Sequence, residues 1–373
     1  LGFFKYWGFL LDTISGITGL KLTYPQLALP IGLSFYTFKN LSYILDIYMG
    51  KTEPCQGFFP YAVYSTMFPH MTAGPIVRYM DIQDSIGRRS INMTRLGAGA
   101  ELFIKGLSKK VLLADNLSAL YTTLQTSGTT SFVGTWLAIG AYTLELYFDF
   151  SGYSDMAIGL GQMLGFNFKN NFDYPYISTS VSEFWRRWHI SLGSWFRDYI
   201  YIPLGGNRVS TGKHVRNILV VWALTGLWHG ASWNFVFWGV YYGLLLLAEK
   251  FLLGHFLEKA PTWIRNVYTM LAVIIGWVFF SQSTPAAIGK MLGAMLGFGA
   301  SCFADRASLY ALKSGLLLLI ISIISCRPGL YQSFKRLARR NNYLAAAINA
   351  LLFFLCIAYM IYSSYTPFMY QQF

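Results

Sequence analysis

The sequence predicts an all-α protein that crosses a membrane many times, and three observations carry that reading. Of 373 residues 54% are hydrophobic and only 12% charged, with a mean hydropathy of +0.42, whereas a soluble domain carries roughly 25% charged residues. Several apolar runs reach the ~20 residues that a helix needs to cross ~30 Å of hydrocarbon. The ~10-residue alternation of an outer-membrane barrel is not seen, and lipid leaves every backbone polar group to be satisfied within the protein, which favours helices.

Taken in order, the clearest runs are 27–48, 132–148, 218–247, 267–281, 312–326 and 344–362. The third is long enough for one bent span or two shorter passes. Runs 58–77 and 96–113 contain Pro, Gly or Lys and read as re-entrant or interfacial. Together they predict about eight to ten membrane segments in one polytopic domain spanning 1–373. Loops are expected around 50–57, 122–130, 205–212 and 302–308.

The formal charge of +13 is gathered at 88–95, 105–110, 186–216 and 327–340. The positive-inside rule sends these stretches to the cytoplasm. They alternate with apolar runs instead of forming one basic face, so anionic lipid headgroups explain them and a nucleic acid does not. Cys55, Cys302, Cys326 and Cys356 are far apart and form no CxxC pair, so neither a disulfide framework nor a metal site is expected. No cleavable signal peptide is visible, and the chain opens with Leu1.

Residues 217–248 hold no Asp, Glu, Lys or Arg, yet His229 stands in their middle. An ionisable group at membrane depth is expensive and marks a functional site by default. The alternative is a histidine that only bridges two helices by hydrogen bonds. Trp228, Trp233 and Trp238 surround it in sequence, and burial among them favours the neutral, proton-accepting imidazole.

Residues 183–208 form the second informative stretch. Laid on a helix, Trp185, Trp188, Leu192, Trp195, Phe196 and Tyr199 share one apolar stripe, and Arg186, Arg187, Arg197 and Asp198 fall opposite, with His189 at the stripe's edge. Pro203 ends the helix and Gly205-Gly206-Asn207 turns the chain. Two readings stand: an interfacial anchor with its tryptophans at headgroup level, or the floor of a reaction chamber with His189 aimed at substrate. Asp149 and Asp155 interrupt an apolar run; they are either carboxylates for proton handling or, the preferred reading, caps at a helix break near Gly152. His70, His214 and His255 read as bystanders without metal-ligand spacing. Gly205-Gly206 lacks the ending of a phosphate loop.

The blocks Leu29-Pro-Ile-Gly-Leu-Ser-Phe-Tyr-Thr-Phe38, Ala73-Gly-Pro-Ile-Val-Arg-Tyr79, Phe148-Asp-Phe-Ser-Gly-Tyr-Ser-Asp-Met-Ala-Ile158, Trp185-Arg-Arg-Trp-His189 through Arg208, and Gly226-Leu-Trp-His-Gly-Ala231 follow one another along nearly the whole chain. In this order they resemble the membrane-bound O-acyltransferase family, in particular its bacterial branch typified by the membrane subunit of alginate O-acetylation. In that family the segment resembling Phe3-Phe-Lys-Tyr-Trp7 follows further N-terminal spans, so spans ahead of Leu1 are expected.

The resemblance implies a many-helix body with funnels from both faces meeting near His229, and acyl transfer from a thioester to an alcohol. His229 is then the candidate general base, and His189 a second acid/base group, a donor-binding group or part of an acyl-histidine relay. Trp185, Trp188, Arg186, Arg197, Asp198, Tyr199, Asn207, Arg208, Trp228 and Asn234 are the candidate tunnel or substrate residues. Among them, Arg186 and Arg208, with neighbouring Arg187, suit the phosphates of coenzyme A or of a carrier's prosthetic arm, and lipid headgroups are an equally good partner. Asn234, a backbone N–H or an indole N–H would stabilise the oxyanion. The implied donor is acetyl-CoA or an acyl-carrier thioester, with no tightly bound cofactor. The implied partners are membrane lipids, a polysaccharide acceptor and an extracytoplasmic acetyltransferase protein, in the bacterial cytoplasmic membrane. D-alanyl transfer to teichoic acid is the runner-up, and a proton-coupled transporter is the competing class.

Overall fold

The computed structural model describes residues 1–25, 27–127 and 130–362, and among these the regular structure is helical. The chain starts with a wide helical turn, Gly2–Tyr6, leading into α1 (Trp7–Thr18). Next come α2 (Leu33–Tyr48), α3 (Phe58–Thr66), α4 (Tyr79–Gly87), α5 (Met93–Ser108), α6 (Asp115–Gln125) and α7 (Phe132–Met163). Two short helices follow, α8 (Val181–Arg187) and α9 (Ile190–Phe196), and then α10 (Thr211–His229), α11 (Trp233–Ala248), α12 (Gly254–Lys259) and α13 (Thr262–Ser281). The last elements are α14 (Pro285–Met295), α15 (Arg306–Ser325), α16 (Pro328–Arg340) and α17 (Asn342–Tyr362).

Among the described residues four helical stretches, Trp233–Lys259, Thr262–Ser281, Arg306–Ser325 and Asn342–Tyr362, are long and apolar enough to cross a bilayer, judged by length and composition. The outermost are also the least buried, with Leu317 69% and Phe354 67% exposed, as lipid-facing side chains should be. The apolar run 218–247 resolves into two passes, α10 and α11. Run 58–77 is broken as expected: α3 has nine residues, and a separate turn, Phe68–His70, follows it. Run 27–48 becomes helical only at Leu33.

Run 96–113 departs from expectation. It is not a re-entrant piece, because α5, a wide turn over Lys109–Ala114 and α6 join into one helix over 93–125. That helix lies antiparallel to α7, and glycines set the approach. A Cβ on Gly99 would stand 2.6 Å from the Gly159 carbonyl oxygen, and one on Gly106 2.5 Å from that of Gly152. Small residues at such a crossing let two backbones touch in a medium that supplies no hydrophobic drive between helices.

The same interface corrects the reading of Asp149 and Asp155. The helix does not break at Gly152, and neither residue caps anything: Lys110 pairs with Asp149 and with Asp115, both at 2.7 Å, and Asp155 takes Lys105 at 3.1 Å and Lys109 at 2.8 Å. The lysines come from the middle of the 93–125 helix, whose charge made it look unlike a membrane element.

The stretch 183–199 also differs from expectation. It is two short helices with a break at Trp188-His189, where Trp188 is extended (φ −99°, ψ 128°) and His189 takes the left-handed conformation (φ 45°, ψ 54°). Trp188 and Trp195, 2% and 4% exposed, are core residues and not headgroup anchors.

Tight connections make successive long helices antiparallel, so the junctions 88–92, 164–180, 202–210, 260–261 and 326–341 share one end of the bundle. Of the four predicted basic clusters, 105–110 lies inside the 93–125 helix against α7, and this end holds the other three, 88–95, 186–216 and 327–340. Helix α16 lies there with Lys335 on Glu101 at 2.7 Å and Tyr331 donating to the same carboxylate at 3.2 Å. At the opposite end the junctions 126–131, 230–232 and 282–284 carry no charged residue, and 296–305, which pairs with 130–133 there, carries one, the acidic Asp305.

Two stability predictions follow from the 93–125/α7 interface. Gly106→Leu should cost ~1–3 kcal/mol through overpacking, read as a lower melting temperature of the purified protein. Gly140→Leu, with nothing within 4 Å of its added Cβ, should leave it unchanged. Lys110→Met strands buried carboxylates and should cost ~3–5 kcal/mol; adding Asp149→Asn should recover most of that loss in the same melt.

Candidate active site

His229 is the last residue of α10, and the chain turns back through an extended Gly230 into α11. Helix ends leave carbonyls without partners, a severe cost away from water. Here Lys5 Nζ donates to the Trp228 oxygen at 2.6 Å and to the His229 oxygen at 3.3 Å, and the Tyr6 hydroxyl donates to the Leu227 oxygen at 2.8 Å. The ammonium also lies at the negative end of the helix dipole. Gly230 is required because a Cβ there would overlap the Phe235 ring. The imidazole, in a residue 4% exposed, packs against Trp228 and Trp238 (both 4.9 Å between centroids), Phe280 (5.3 Å) and Phe235 (6.4 Å).

His189 reaches the same place from the break between α8 and α9. Its ring meets Phe150 at 4.7 Å, Trp228 at 6.0 Å, and Phe35 and Phe172 at 6.5 Å each. Two histidines forty residues apart in sequence thus share Trp228 as a common neighbour. Asn171 Oδ1 lies 3.2 Å from His189 Nδ1.

Two cavities approach this cluster. One, of about 420 Å³, is lined by Trp185, Arg186, Trp188, His189, Arg197 and Trp222, together with Leu246 of α11. The other, of about 440 Å³, is lined by Lys110, Glu145, Asp149, Asn234, Phe235 and Phe280. Asn234 and Leu246 are twelve residues apart on α11, roughly 18 Å at 1.5 Å per residue, so the cavities lie toward opposite ends of that helix. Phe235 and Phe280 belong both to the wall of the second cavity and to the packing around His229.

The remaining expected site residues divide clearly. Asp198 and Tyr199 are braces at the basic end. Asp198 binds Arg197 at 2.7 Å and Arg78 at 2.9 Å, and Tyr199 donates to Asp46 at 2.7 Å. Burial alone would raise the Asp198 carboxyl's pKa; the hydrogen bonds and charges of Arg197 and Arg78 outweigh it and hold the group below its usual range. Asn207 and Arg208 are exposed on the turn beyond Pro203 and are not lining residues of the His189 cavity. Asn234 is occupied, accepting from the Ser232 hydroxyl at 2.5 Å and donating to the Phe279 oxygen at 3.3 Å. The indole N–H groups of Trp228 and Trp238 are buried with no hydrogen-bond partner among the described residues.

Sequence reasoning missed Lys5, Tyr6 and Asn171, whose partners are 17 to 224 residues away. It also missed Phe35, although that residue lies inside the block 29–38 that carried the resemblance.

Comparison with known proteins agrees with the architecture. A family model described as MBOAT, the membrane-bound O-acyltransferase family, matches residues 55–285, which include both histidines. The chain is 41% identical over 331 residues to a probable alginate O-acetylase AlgI of Azotobacter vinelandii, covering 87% of this chain and 66% of that protein, just under two thirds of its length. It is 38% identical over 401 residues to the corresponding protein of Pseudomonas putida, covering 100% of this chain and 82% of the relative. A peptidoglycan O-acetyltransferase of Helicobacter pylori is 33% identical over 329 residues, covering 80% of this chain and 62% of that protein. By sequence and by architecture, the chain belongs to the membrane-bound O-acyltransferase family.

Proposed function

We propose that this protein, acting as one membrane domain, is an O-acyltransferase of the bacterial cytoplasmic membrane. It takes an acetyl group from a cytosolic thioester, acetyl-CoA, and passes it to a hydroxyl on the other side for O-acetylation of a cell-surface or exported polysaccharide. An extracytoplasmic acetyltransferase is its partner in the final transfer. The observation that supports this most is the pair of histidines against Trp228, between two cavities at opposite ends of α11.

The basic junctions orient the molecule. Positive loops favour the cytoplasm, which makes the His189 cavity the donor side. Arg186 and Arg197 at its wall suit the phosphates of coenzyme A. The cavity with Asn234, Phe235 and Phe280 is then the acceptor side, with His229 behind its aromatic wall. The relatives named for alginate and for peptidoglycan support a glycan acceptor.

The chemistry asks for little more than this. His229 takes the hydroxyl proton as the oxygen attacks the thioester carbonyl, and the thiolate leaves. Charge developing on the carbonyl oxygen needs donors that are not already engaged. Asn234 is engaged; the indole N–H groups of Trp228 and Trp238 are better placed for the role.

His229→Ala should lower acetyl transfer by roughly 10²–10⁴-fold, the usual worth of a general base, with expression and melting temperature retained. Undiminished acylation in cells would remove His229 from the mechanism. Arg186→Glu should raise KM for acetyl-CoA roughly 3–10-fold with a smaller change in kcat, as for a solvent-exposed ion pair of about 1 kcal/mol, and the difference should shrink as salt screens it. An unchanged KM at low ionic strength would move the donor's phosphates elsewhere.

A further inference from the structure

Asn171 precedes the α8–α9 unit and is 1% exposed. Its side-chain amide cannot be turned round. Oδ1 accepts from the Ser191 backbone N–H at 3.1 Å and from the Ser191 hydroxyl at 2.8 Å, and Nδ2 donates to Ser154 Oγ at 3.2 Å. The Ser191 hydroxyl gives its one proton to Asn171 Oδ1, an acceptor-only atom at 2.8 Å and much nearer than His189 Nδ1 at 3.5 Å, and Ser191 Oγ in turn accepts the Ile76 N–H at 2.9 Å. Two polar atoms beside His189 Nδ1 therefore act as acceptors: Asn171 Oδ1 at 3.2 Å and the lone pair of Ser191 Oγ at 3.5 Å.

We infer that Asn171 is a positioning residue that locks His189 in its Nδ1–H tautomer, so that Nε2 is the nitrogen carrying the lone pair. An amide oxygen accepts but never donates, so a hydrogen bond to it places the ring proton on Nδ1. The backbone supports the same lock. The Ile190 N–H donates to the Asn171 carbonyl oxygen at 2.9 Å, across a His189 held at φ 45°, a conformation that a non-glycine residue keeps only where its surroundings impose it. The chain from Ile76 also gives the Ala73-Gly-Pro-Ile block a role: it reaches His189 through Ser191 and Asn171.

The tautomer assignment does not depend on the acyl-transfer reading. Its effect on rate does, since it makes Nε2 the atom that works on the donor side. Beside His189 the rings of Phe35, Phe150, Phe172 and Trp228 do not titrate, whereas His229, against the same Trp228, does, and the Lys5 ammonium sits on the Trp228 and His229 carbonyl oxygens.

The test uses the full chain in lipid nanodiscs, with histidine ¹⁵N labelling to read the tautomer and acetyl-CoA-dependent thiol release to read the reaction. His189→Gln identifies the His189 signal. The wild-type protein should show His189 as Nδ1–H. Asn171→Leu should admit the Nε2–H form and lower kcat roughly 10–100-fold, the range seen when the outer partner of a functional histidine is lost, with KM for acetyl-CoA changed little. Asn171→Asp keeps an acceptor toward Nδ1, and Ser154 can turn to donate to it. This variant should retain the Nδ1–H form and more of kcat than the leucine variant. Its carboxylate favours imidazolium, so the acid limb of the pH profile should move to higher pH.

An Nε2–H signal in the wild type overturns the inference, and so does a leucine variant with unaltered tautomer and kcat. Equal damage in the leucine and aspartate variants with unmoved pH profiles would reduce Asn171 to a packing residue and overturn it as well. Should the leucine variant not fold, the wild-type spectrum and the aspartate profile still decide. Absence of thiol release in the wild type would instead count against the acyl-transfer reading and leave the tautomer result standing.

Discussion

Inside hydrocarbon a helix can stop only where protein supplies partners for the backbone groups it leaves open, and the candidate site is built from such stops. Helix α10 ends at His229 because Lys5 and Tyr6 take the carbonyls of its last turn. Helices α8 and α9 part at His189 because Asn171 ties down the backbone on the far side of the break. Each stop turns an imidazole away from a regular helical surface and into the bundle. Without these caps, an uninterrupted helix would carry the same histidines along its side, where only a neighbouring helix could meet them.

The second constraint is charge. The 93–125 helix brings Lys105, Lys109 and Lys110 to the middle of α7, where Asp149 and Asp155 meet them. Buried pairs of this kind contribute little net stability against apolar replacements, but losing one partner is severe. Their effect is to fix the register of two long helices whose glycines already let the backbones touch. Register matters because α7 also carries Phe150, against the His189 ring, and Ser154, which holds Asn171.

How much of this was legible in the sequence depends on range. His229 stood out because it lies within 32 residues that hold no Asp, Glu, Lys or Arg, and α13, α15 and α17 followed from hydropathy alone. The 93–125 helix did not, since its lysines look polar until Asp149 and Asp155, over thirty residues on, neutralise them. The break at His189 was also hidden: residues 183–199 have good helical periodicity, and only the distant acceptor on Asn171 and the burial of Trp188 override it. Tryptophans beside arginines suggested a headgroup belt, but in a thick bundle the same residues can fill a core. Lys5 offered no local signal, because capping α10 is a property of its contact with residues more than two hundred positions away.

Under the acyl-transfer reading, proton balance gives the two histidines different tasks. A thioester and an alcohol become an ester and a thiol with no net release of protons, so the proton lost by the hydroxyl at one face must be matched by one gained by sulfur at the other. Acetyl and proton then move in opposite directions through the same few residues. A single imidazole buried behind Phe235 and Phe280 serves the hydroxyl; the sulfur, in the cavity lined by His189, takes its proton from a group that must first receive one. A neutral histidine whose Nδ1–H is committed to an amide oxygen meets that need through Nε2, whose lone pair takes up the proton before handing it to the sulfur. This gives a physical reason for pairing one histidine packed among aromatic rings with another held by a polar lock, one on each side of Trp228's reach.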